Sequence, residues 1–488
     1  MGSCGNRELC SKGWKGENIM MMTKQTLRLG VLSLLAAAGA LAQTYTDLAT
    51  FNGANGSNPQ ASAPLIQGTD GNLYGTTFGG GAYASGTIFQ VTPAGTITDI
   101  YSFTYCSDPS CDGANPAGGL VLGADGNFYG VTENGGFNYA GTVFQLTPTG
   151  TLNTIYNFCA QWPCPDGYAP FATLIQATDG NFYGTTQYGG TGPSCYYGLA
   201  CGTVFEITST GTLTTLYNFS GSDGSLPYGS LIQASDGNFY GTTYLGGANN
   251  DGTIFQLTPA GTLNTLHSFA WTDGAKPVAG LIQASDGNFY GMTSEGGAHG
   301  LGTLFRITST GSLTTLLSFR RAMGGYPIGA LMQATDGNIY GTTAQGGANA
   351  YGTIFKFGKK GFSTIYSFGA TDGFGNSGLF EATNGTFYGT ANDDGNANAG
   401  VVFSLSEGLP AFVQTVPAYG TAGQAVQILG TDLTGATSVT FNGTAAAFSL
   451  VSGSLISATV PAGATSGLVT VTTPSGALKS NVKFQVSH

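Results

Sequence analysis

The stretch Ser235–Thr243, SDGNFYGTT, decides the fold because the chain repeats it. Near-copies start at Asp70, Asp125, Asp179, Asp236, Asp286 and Asp336, and a worn seventh reads NGTFYGT from Asn384. Neighbouring anchors lie 48 to 57 residues apart. The copy from Leu231 to Phe269 reads LIQA, SDGN, FYGTT, a Gly-rich loop, GTIFQLT, PAG and TLNTLHSF. That is four short strands separated by polar turns. In the third strand Ile254, Gln256 and Thr258 share one face, and Phe255 and Leu257 the other. In the fourth, Leu263 and Thr265 are expected on one face, with Asn264, Leu266 and Ser268 on the other. DGN and PAG supply the positive-φ and pre-bent positions that tight hairpins need. No window holds a 3.6-residue apolar period, so few helices are expected.

Four strands at a period of about 50 residues mark a β-propeller blade, which buries its sheet faces against its neighbours. GTxFxL-like strands begin at Gly86, Gly141, Gly202, Gly252, Gly302, Gly352 and Gly400. Strands of the LxxLYxF kind end at Phe51, Phe103, Phe158, Phe219, Phe269, Phe319 and Phe368. The repeat region therefore opens on a fourth-type strand, Thr44–Phe51, and closes on a third-type strand, Gly400–Ser406. The first completes the set begun by the second. The expected fold is all-β: a seven-bladed propeller closed by the N-terminal strand, over residues 43–407. An open solenoid of hairpins is the alternative.

The DGN and PxG turns belong to one face. The loops after the second strand and the linkers between repeats belong to the opposite face and carry the variation in length. Six of the eight cysteines lie there in close pairs, Cys106/Cys111, Cys159/Cys164 and Cys195/Cys201. None has the CxxC spacing of zinc or redox sites, so three local disulfides and an oxidising compartment are expected, against free thiols or other pairings. Charged residues make up only 8% and glycines number 81, but 41% hydrophobic and 12% aromatic content is too apolar for a disordered chain. A net charge of −11 without a basic stripe excludes nucleic acid as a partner.

Residues 22–42, MTKQTLRLGVLSLLAAAGALA, read as a signal peptide with Lys24 and Arg28 before the apolar run and Ala40-Leu41-Ala42 at the cleavage site. An uncleaved anchor is the alternative. Residues 1–21 read as an over-extended start. No transmembrane segment is expected in the mature chain, which is expected to be a secreted or cell-surface monomer. From Gly408 the period stops, and alternating strands such as Ala425–Leu429, Ser438–Phe441, Gly467–Thr472 and Val482–Val486 suit a small β-sandwich.

Residues 408–488 resemble the IPT/TIG domain, an immunoglobulin-like module. The matching features are Pro417–Gly420, Ile428-Leu429-Gly430, Val439–Gly443, Ile456–Pro461, Gly467–Thr472 and Phe484–Val486. The resemblance implies a spacer or interaction module and transfers no catalytic residue. Residues 60–405 resemble the bacterial GloVer family of exported repeat proteins, through DGNFYGTTxxGG and GTxFxL. The seventh copy departs, with Asn384 for Asp and Thr386 for Asn. The resemblance implies no activity.

Chemistry is sparse in this sequence. The histidines are His267, His299 and His488. His267 replaces a strand Tyr and reads as structural, and His299 is a lone loop candidate. Arg320–Arg321 is a candidate anion site, against a solvated pair. The DGN aspartates lack the ligand spacing of a calcium loop and read as turn formers. A second series, Asp112, Asp166, Asp223, Asp273 and Asp372, lies on the loop face, where convergence near the axis would suit a cation or polyol. No cofactor, metal site or catalytic set is expected. Tyr105, Trp162, Tyr168, Tyr196, Tyr197 and Trp271 are the ligand-binding candidates, since flat rings among polar loops suit sugar or protein surfaces. The function expected is non-catalytic recognition or adhesion, of an extracellular glycan or protein. A propeller lyase or hydrolase with an axial site and a purely structural surface protein are the alternatives.

Overall fold

The computed structural model describes residues 43–59, 63–104, 111–196, 198–375, 377–392 and 399–487, and among them there is no helix. The expected leader at 22–42, the expected over-extended start at 1–21, Tyr105, Cys106, Tyr197 and His488 lie outside the described residues. Around SDGNFYGTT, the strands Ile232–Gln233, Phe239–Thr243, Thr253–Leu257 and Leu263–Ser268 form an antiparallel sheet in that order. Seven sheets repeat this order. In the seventh, Phe380–Glu381, Thr386–Ala391 and Val401–Ser406 are followed by Thr44–Thr50 from the start of the repeat region.

The outer strands differ from the simple alternation expected. Opposite Ile254 and Phe255 the register slips at Leu266, so this residue turns toward the core instead of sharing a face with Asn264 and Ser268. A bulge inserts one unpaired residue and bends the strand. The same slip falls at Ile100, Ile155, Leu216, Leu316 and Ile365. It also falls at Leu48, so the N-terminal strand carries the outer-strand irregularity in full. Five of these bulges, at Leu48, Ile100, Ile155, Leu216 and Leu266, seat the turn glycine of the following sheet, whereas Gly361, which follows the Leu316 bulge, has nothing within 4 Å. Gly261 holds φ +84°, and a Cβ there would lie 2.7 Å from the Leu216 carbonyl oxygen. Gly95 approaches the Leu48 carbonyl in the same way.

Apolar cores lie between consecutive sheets. Tyr240 and Ile254 of the fourth meet Phe289 and Phe305 of the fifth. Phe51, Tyr388 and Val402 of the seventh meet Leu65, Leu73, Phe89 and Val91 of the first. Each such side chain contributes about 1.5–3 kcal/mol on full burial. Polar bonds repeat the pattern near the innermost strands. The Thr178 N–H donates to Gln233 Oε1 at 2.9 Å and Ser235 N–H to Gln283 Oε1 at 2.9 Å. Thr383 N–H donates to Gln67 Oε1 at 3.0 Å, joining the seventh sheet to the first.

Beyond the repeats, Gln414–Val416, Ala425–Leu429, Leu455–Thr459 and Phe448–Ser452 form one sheet. Thr444–Ala445, Ser438–Phe441, Val469–Thr473 and Gly476–Lys479 form a second, and both share a core of Val426, Ile428, Phe441, Ile456, Val471 and Phe484. This C-terminal unit rests on the DGN side of the repeats. Tyr419 Oη donates to the Ala177 carbonyl at 2.5 Å and Ser454 Oγ to the Thr69 carbonyl at 3.0 Å, and Thr383 Oγ1 lies 2.9 Å from Thr431 Oγ1. No helix among the described residues is long and apolar enough to cross a membrane.

Candidate functional site

The repeated DGN aspartates are fully used in holding their own hairpins. Asp236 accepts from the Asn238 N–H, Asn238 Nδ2 and Tyr240 Oη at 2.8–3.0 Å, while Gln256 donates to that hydroxyl. Burial pushes the Asp236 carboxyl up, but the bonds from Asn238 and Tyr240 outweigh it and hold it below its ordinary value. Tyr240 is pushed up to about 12, by burial and then by its carboxylate partner. In the seventh sheet Asn384 Nδ2 donates to Tyr388 Oη instead, at 3.1 Å.

The second aspartate series is spread over separate local bonds, one in each linker that carries it. Each carboxylate accepts from the outer strand that precedes it, from Tyr101 to Asp112, Tyr156 to Asp166, Tyr217 to Asp223 and Tyr366 to Asp372. His267 takes the Tyr place and meets Asp273 at 3.1 Å, so its role is structural, as its position implies. These clasps lie along the outer rim because their partners are the outermost strands. Where the Tyr position is Leu317, the Asp position is Met323, so both halves of the clasp are absent together. No group of three metal-ligating side chains occurs among the described residues.

The expected aromatic set is dispersed. Trp162 and Trp271 stand 70% and 50% exposed in separate linkers, and no ring contact joins them to each other or to Tyr168. Tyr168 is half-buried against Tyr188, with ring centroids 6.2 Å apart. Tyr196 lies in the short hairpin strand Ser194–Tyr196, and its side chain is outside the described residues. Two of the three expected disulfides are formed between described residues, Cys159–Cys164 with Cα atoms 4.2 Å apart and Cys195–Cys201 with Cα atoms 5.0 Å apart. The third expectation, Cys106–Cys111, is met at one end. Cys111 is buried and disulfide-bonded, while Cys106, the partner expected for it, lies outside the described residues.

A tighter cluster forms where the loops and linkers of the third, fourth and fifth sheets meet, from residues the repeat pattern had hidden. The linkers into the first six sheets are clamped at the residue before their Pro, whose φ is +55° at Leu226, +56° at Lys276 and +52° at Tyr326. Such positive φ is costly away from Gly and persists only when neighbouring bonds fix it. Leu226 N–H donates to the Cys201 carbonyl of the preceding sheet at 3.1 Å, and its carbonyl accepts from Tyr244 N–H at 2.9 Å. Lys276 is held likewise between the Asp251 carbonyl and Ser294 N–H. The Pro that follows sits over the first Gly of the neighbouring third strand, as Pro227 does over Gly202. The next residue, Phe171 in the linker into the third sheet and Tyr228 in the linker into the fourth, is thereby brought into this cluster.

Tyr228 lies 5.3 Å from Phe171 and 5.0 Å from Tyr244, ring centre to ring centre. Lys276 Nζ sits 5.9 Å over the Tyr244 ring and 2.9 Å from Glu295. The Glu295 hydrogen bond raises the Lys276 ammonium's pKa, against the opposing effect of burial. Glu133, after the second strand of the second sheet, is pushed up by burial. Tyr228 is pushed up by burial, then by Tyr188, Tyr244 and Glu133. Tyr228 also lines a cavity of about 160 Å³, together with Ser230, Thr173, Gly280, Ala330 and Pro64. The residue two places before each innermost strand is small: Pro64, Gly119, Gly280, Ala330 and Gly378, with hydroxyls at Thr173 and Ser230.

The signal for this cluster was present in the repeat columns. After Pro in the linker the chain reads Ala117, Phe171, Tyr228, Val278 and Ile328. After the second strand it reads Phe78, Glu133, Gln187, Tyr244, Ser294, Ala344 and Asn392. Those columns vary in chemistry while their neighbours hold constant.

The family model for the Gloeobacter/Verrucomicrobia repeat matches residues 30–254 and 230–455. No curated protein matches the chain. Among solved structures, a periplasmic gluconolactonase of Pseudomonas aeruginosa is 16% identical, covering 69% of this chain and 97% of its own, with a TM-score of 0.41. The nidogen/laminin complex contributes a chain 11% identical, covering 61% of this chain and 93% of its own, at 0.37. Likeness at this level says nothing of activity.

Proposed function

We propose a recognition function for this protein, which belongs to the Gloeobacter/Verrucomicrobia repeat family: an exported, non-catalytic protein that binds a neutral glycan at the loop-side mouth of its axis. The architecture in this reading is a seven-bladed propeller, residues 43–407, carrying an immunoglobulin-like domain of the IPT/TIG kind, residues 408–488. Its support is the pairing of Thr44–Thr50 with Val401–Ser406, the shared bulge at Leu48, and the core between the seventh and first sheets. The disulfides Cys159–Cys164 and Cys195–Cys201 support an oxidising destination.

The observation that carries the glycan reading is the contact of Phe171, Tyr228 and Tyr244, rings from non-repeated positions of two sheets and the linkers into them. Flat rings with hydroxyl edges match the apolar faces and polar rims of sugars. Among the described residues at this mouth, the cation Lys276 is already paired with Glu295, which disfavours an acidic polymer. An array of neutral oligosaccharides, probed with residues 43–488, tests the reading. Binding that falls at least about tenfold in Tyr228→Ala is the expected result; silence across the array refutes it.

Glu133 sustains a second reading. It is a half-buried carboxyl at the mouth whose pKa burial raises, the mark of a general acid. Two-carboxylate glycoside hydrolysis needs a second free carboxylate, and Glu295 is engaged by Lys276. Release of reducing ends from a bound oligosaccharide, abolished in Glu133→Gln, would favour this enzyme reading over recognition.

A further inference from the structure

We infer, building on the glycan reading above, that the axis is blind and that its ligand is the free end of a neutral glycan chain rather than a segment within one. Three features close the axis beneath the aromatic mouth. The first is the ring of small residues. Gly119 is so near its neighbours that a Cβ would lie 3.1 Å from both the Pro64 carbonyl oxygen and Thr173 Oγ1. A Cβ on Gly378 would lie 3.2 Å from Ala330. The space within this ring, lined by Pro64, Thr173, Ser230, Gly280 and Ala330, is the 160 Å³ cavity, enough for a terminal unit and too small for a doubled-back chain.

The second feature lies past the constriction. A space of about 400 Å³ there is bounded by Leu122, Thr173 and Gln176 of the repeats and by Val416, Pro417 and Tyr419 of the C-terminal unit. The C-terminal unit is therefore the floor of the axis, bonded by Tyr419 to Ala177 and by Thr431 to Thr383.

The third feature is in the sequence itself. The repeats lose their regularity under that floor. Where other sheets place Gln67, Gln176, Gln233, Gln283 or Gln333, the second sheet has Leu122. The turn of the first sheet that such a Gln would meet is met by Ser454, which donates to Thr69. The worn seventh turn, Asn384-Gly385-Thr386, lies against Leu409, and Phe412 N–H donates to the Thr383 carbonyl at 2.9 Å. These departures fit one purpose, to seat the C-terminal unit. A polymer reaching the axis from the loop side meets a closed end and enters only by its terminus.

Two measurements on the full chain test this. Neutral oligosaccharides are printed in pairs, one with its outer terminus free and one with that terminus capped by a bulky group. Capping is expected to weaken binding by at least about tenfold. Equal binding of free and capped forms overturns end recognition while leaving glycan recognition standing; no binding by either form overturns both. In the second measurement Thr383→Cys and Thr431→Cys are combined. The hydroxyl oxygens 2.9 Å apart place the two residues within disulfide reach. Full cross-linking with unchanged binding of the free-ended glycan is expected. Failure to cross-link, or loss of binding on cross-linking, overturns a fixed floor.

Discussion

Phe51→Ala probes the closure of the repeat ring. Phe51 is 1% exposed and directly follows the strand Thr44–Thr50 that pairs with Val401–Ser406. Its ring meets Phe89 of the first sheet edge-on at 4.9 Å, within a core that also holds Tyr388 and Val402. Phe219 holds the corresponding place in the third sheet, 0% exposed and 5.3 Å from Phe255. Truncating a core Phe to Ala costs about 3–5 kcal/mol, through lost transfer energy and the cavity left behind. If the N-terminal strand is an integral outer strand, Phe51→Ala and Phe219→Ala fall in that same range. If residues 44–51 fray as the end of an open array, the Phe51 change costs less than about 1 kcal/mol, because the side chain is already exposed much of the time. Urea unfolding of both variants gives the comparison, and amide exchange of residues 44–51 against 263–269 gives an independent one. A small Phe51 effect with fast exchange in 44–51 refutes closure by this strand.

The rim clasp is testable where nature omits it. Tyr217→Phe removes the hydroxyl that Asp223 accepts and is expected to cost about 1 kcal/mol, whereas Leu317→Tyr and Met323→Asp together are expected to show favourable coupling of about 0.5–3 kcal/mol in a double-mutant cycle. Gly261→Ala, which drives a Cβ onto the Leu216 carbonyl, should unfold at distinctly lower urea than Gly423→Ala, where φ is +88° and nothing lies within 4 Å. For pH, Glu133 and Glu381 have folded pKa values raised above 4.5, so they oppose folding at neutrality and stability rises as they protonate on acidification. Asp236, Asp286 and Asp336 are held below 3.8, so the stability they contribute is present above that value and is lost as pH falls beneath it. A maximum in urea midpoint on the acid side of neutrality, moved toward neutrality in Glu133→Gln, is expected; a midpoint falling steadily from neutrality downward contradicts these assignments.

Strand order, turn chemistry and the phase of the repeats were legible because each rests on local rules applied many times over. DGN, PxG and the alternation of Thr253–Leu257 are short-range signals, and repetition averaged out their errors. The outer-strand bulge was not legible, since Leu266 satisfies either face until its neighbour Ile254 fixes the register. The rim clasp was half legible. His267 was readable as a substitute for Tyr, but its partner Asp273 sits in a linker whose path the sequence leaves open. The binding candidates picked by residue type differ from the rings of the proposed site. Trp162 and Trp271 stand out by residue type, whereas Phe171, Tyr228 and Tyr244 become a cluster only when linkers from neighbouring sheets bend inward over Pro. Residue type marks what a side chain offers, and which side chains meet is a property of how neighbouring sheets pack.

The most direct measurement is a titration of one array-selected neutral oligosaccharide against the parent protein, Tyr228→Ala, Trp162→Ala and Trp271→Ala, followed by calorimetry. The account expects Tyr228→Ala to lose at least about 1.4 kcal/mol of binding, a tenfold loss, from one aromatic contact with its hydroxyl, while both Trp variants bind as the parent does. Unchanged binding in Tyr228→Ala, with the loss falling instead on Trp162→Ala or Trp271→Ala, would contradict it and move the site to the rim.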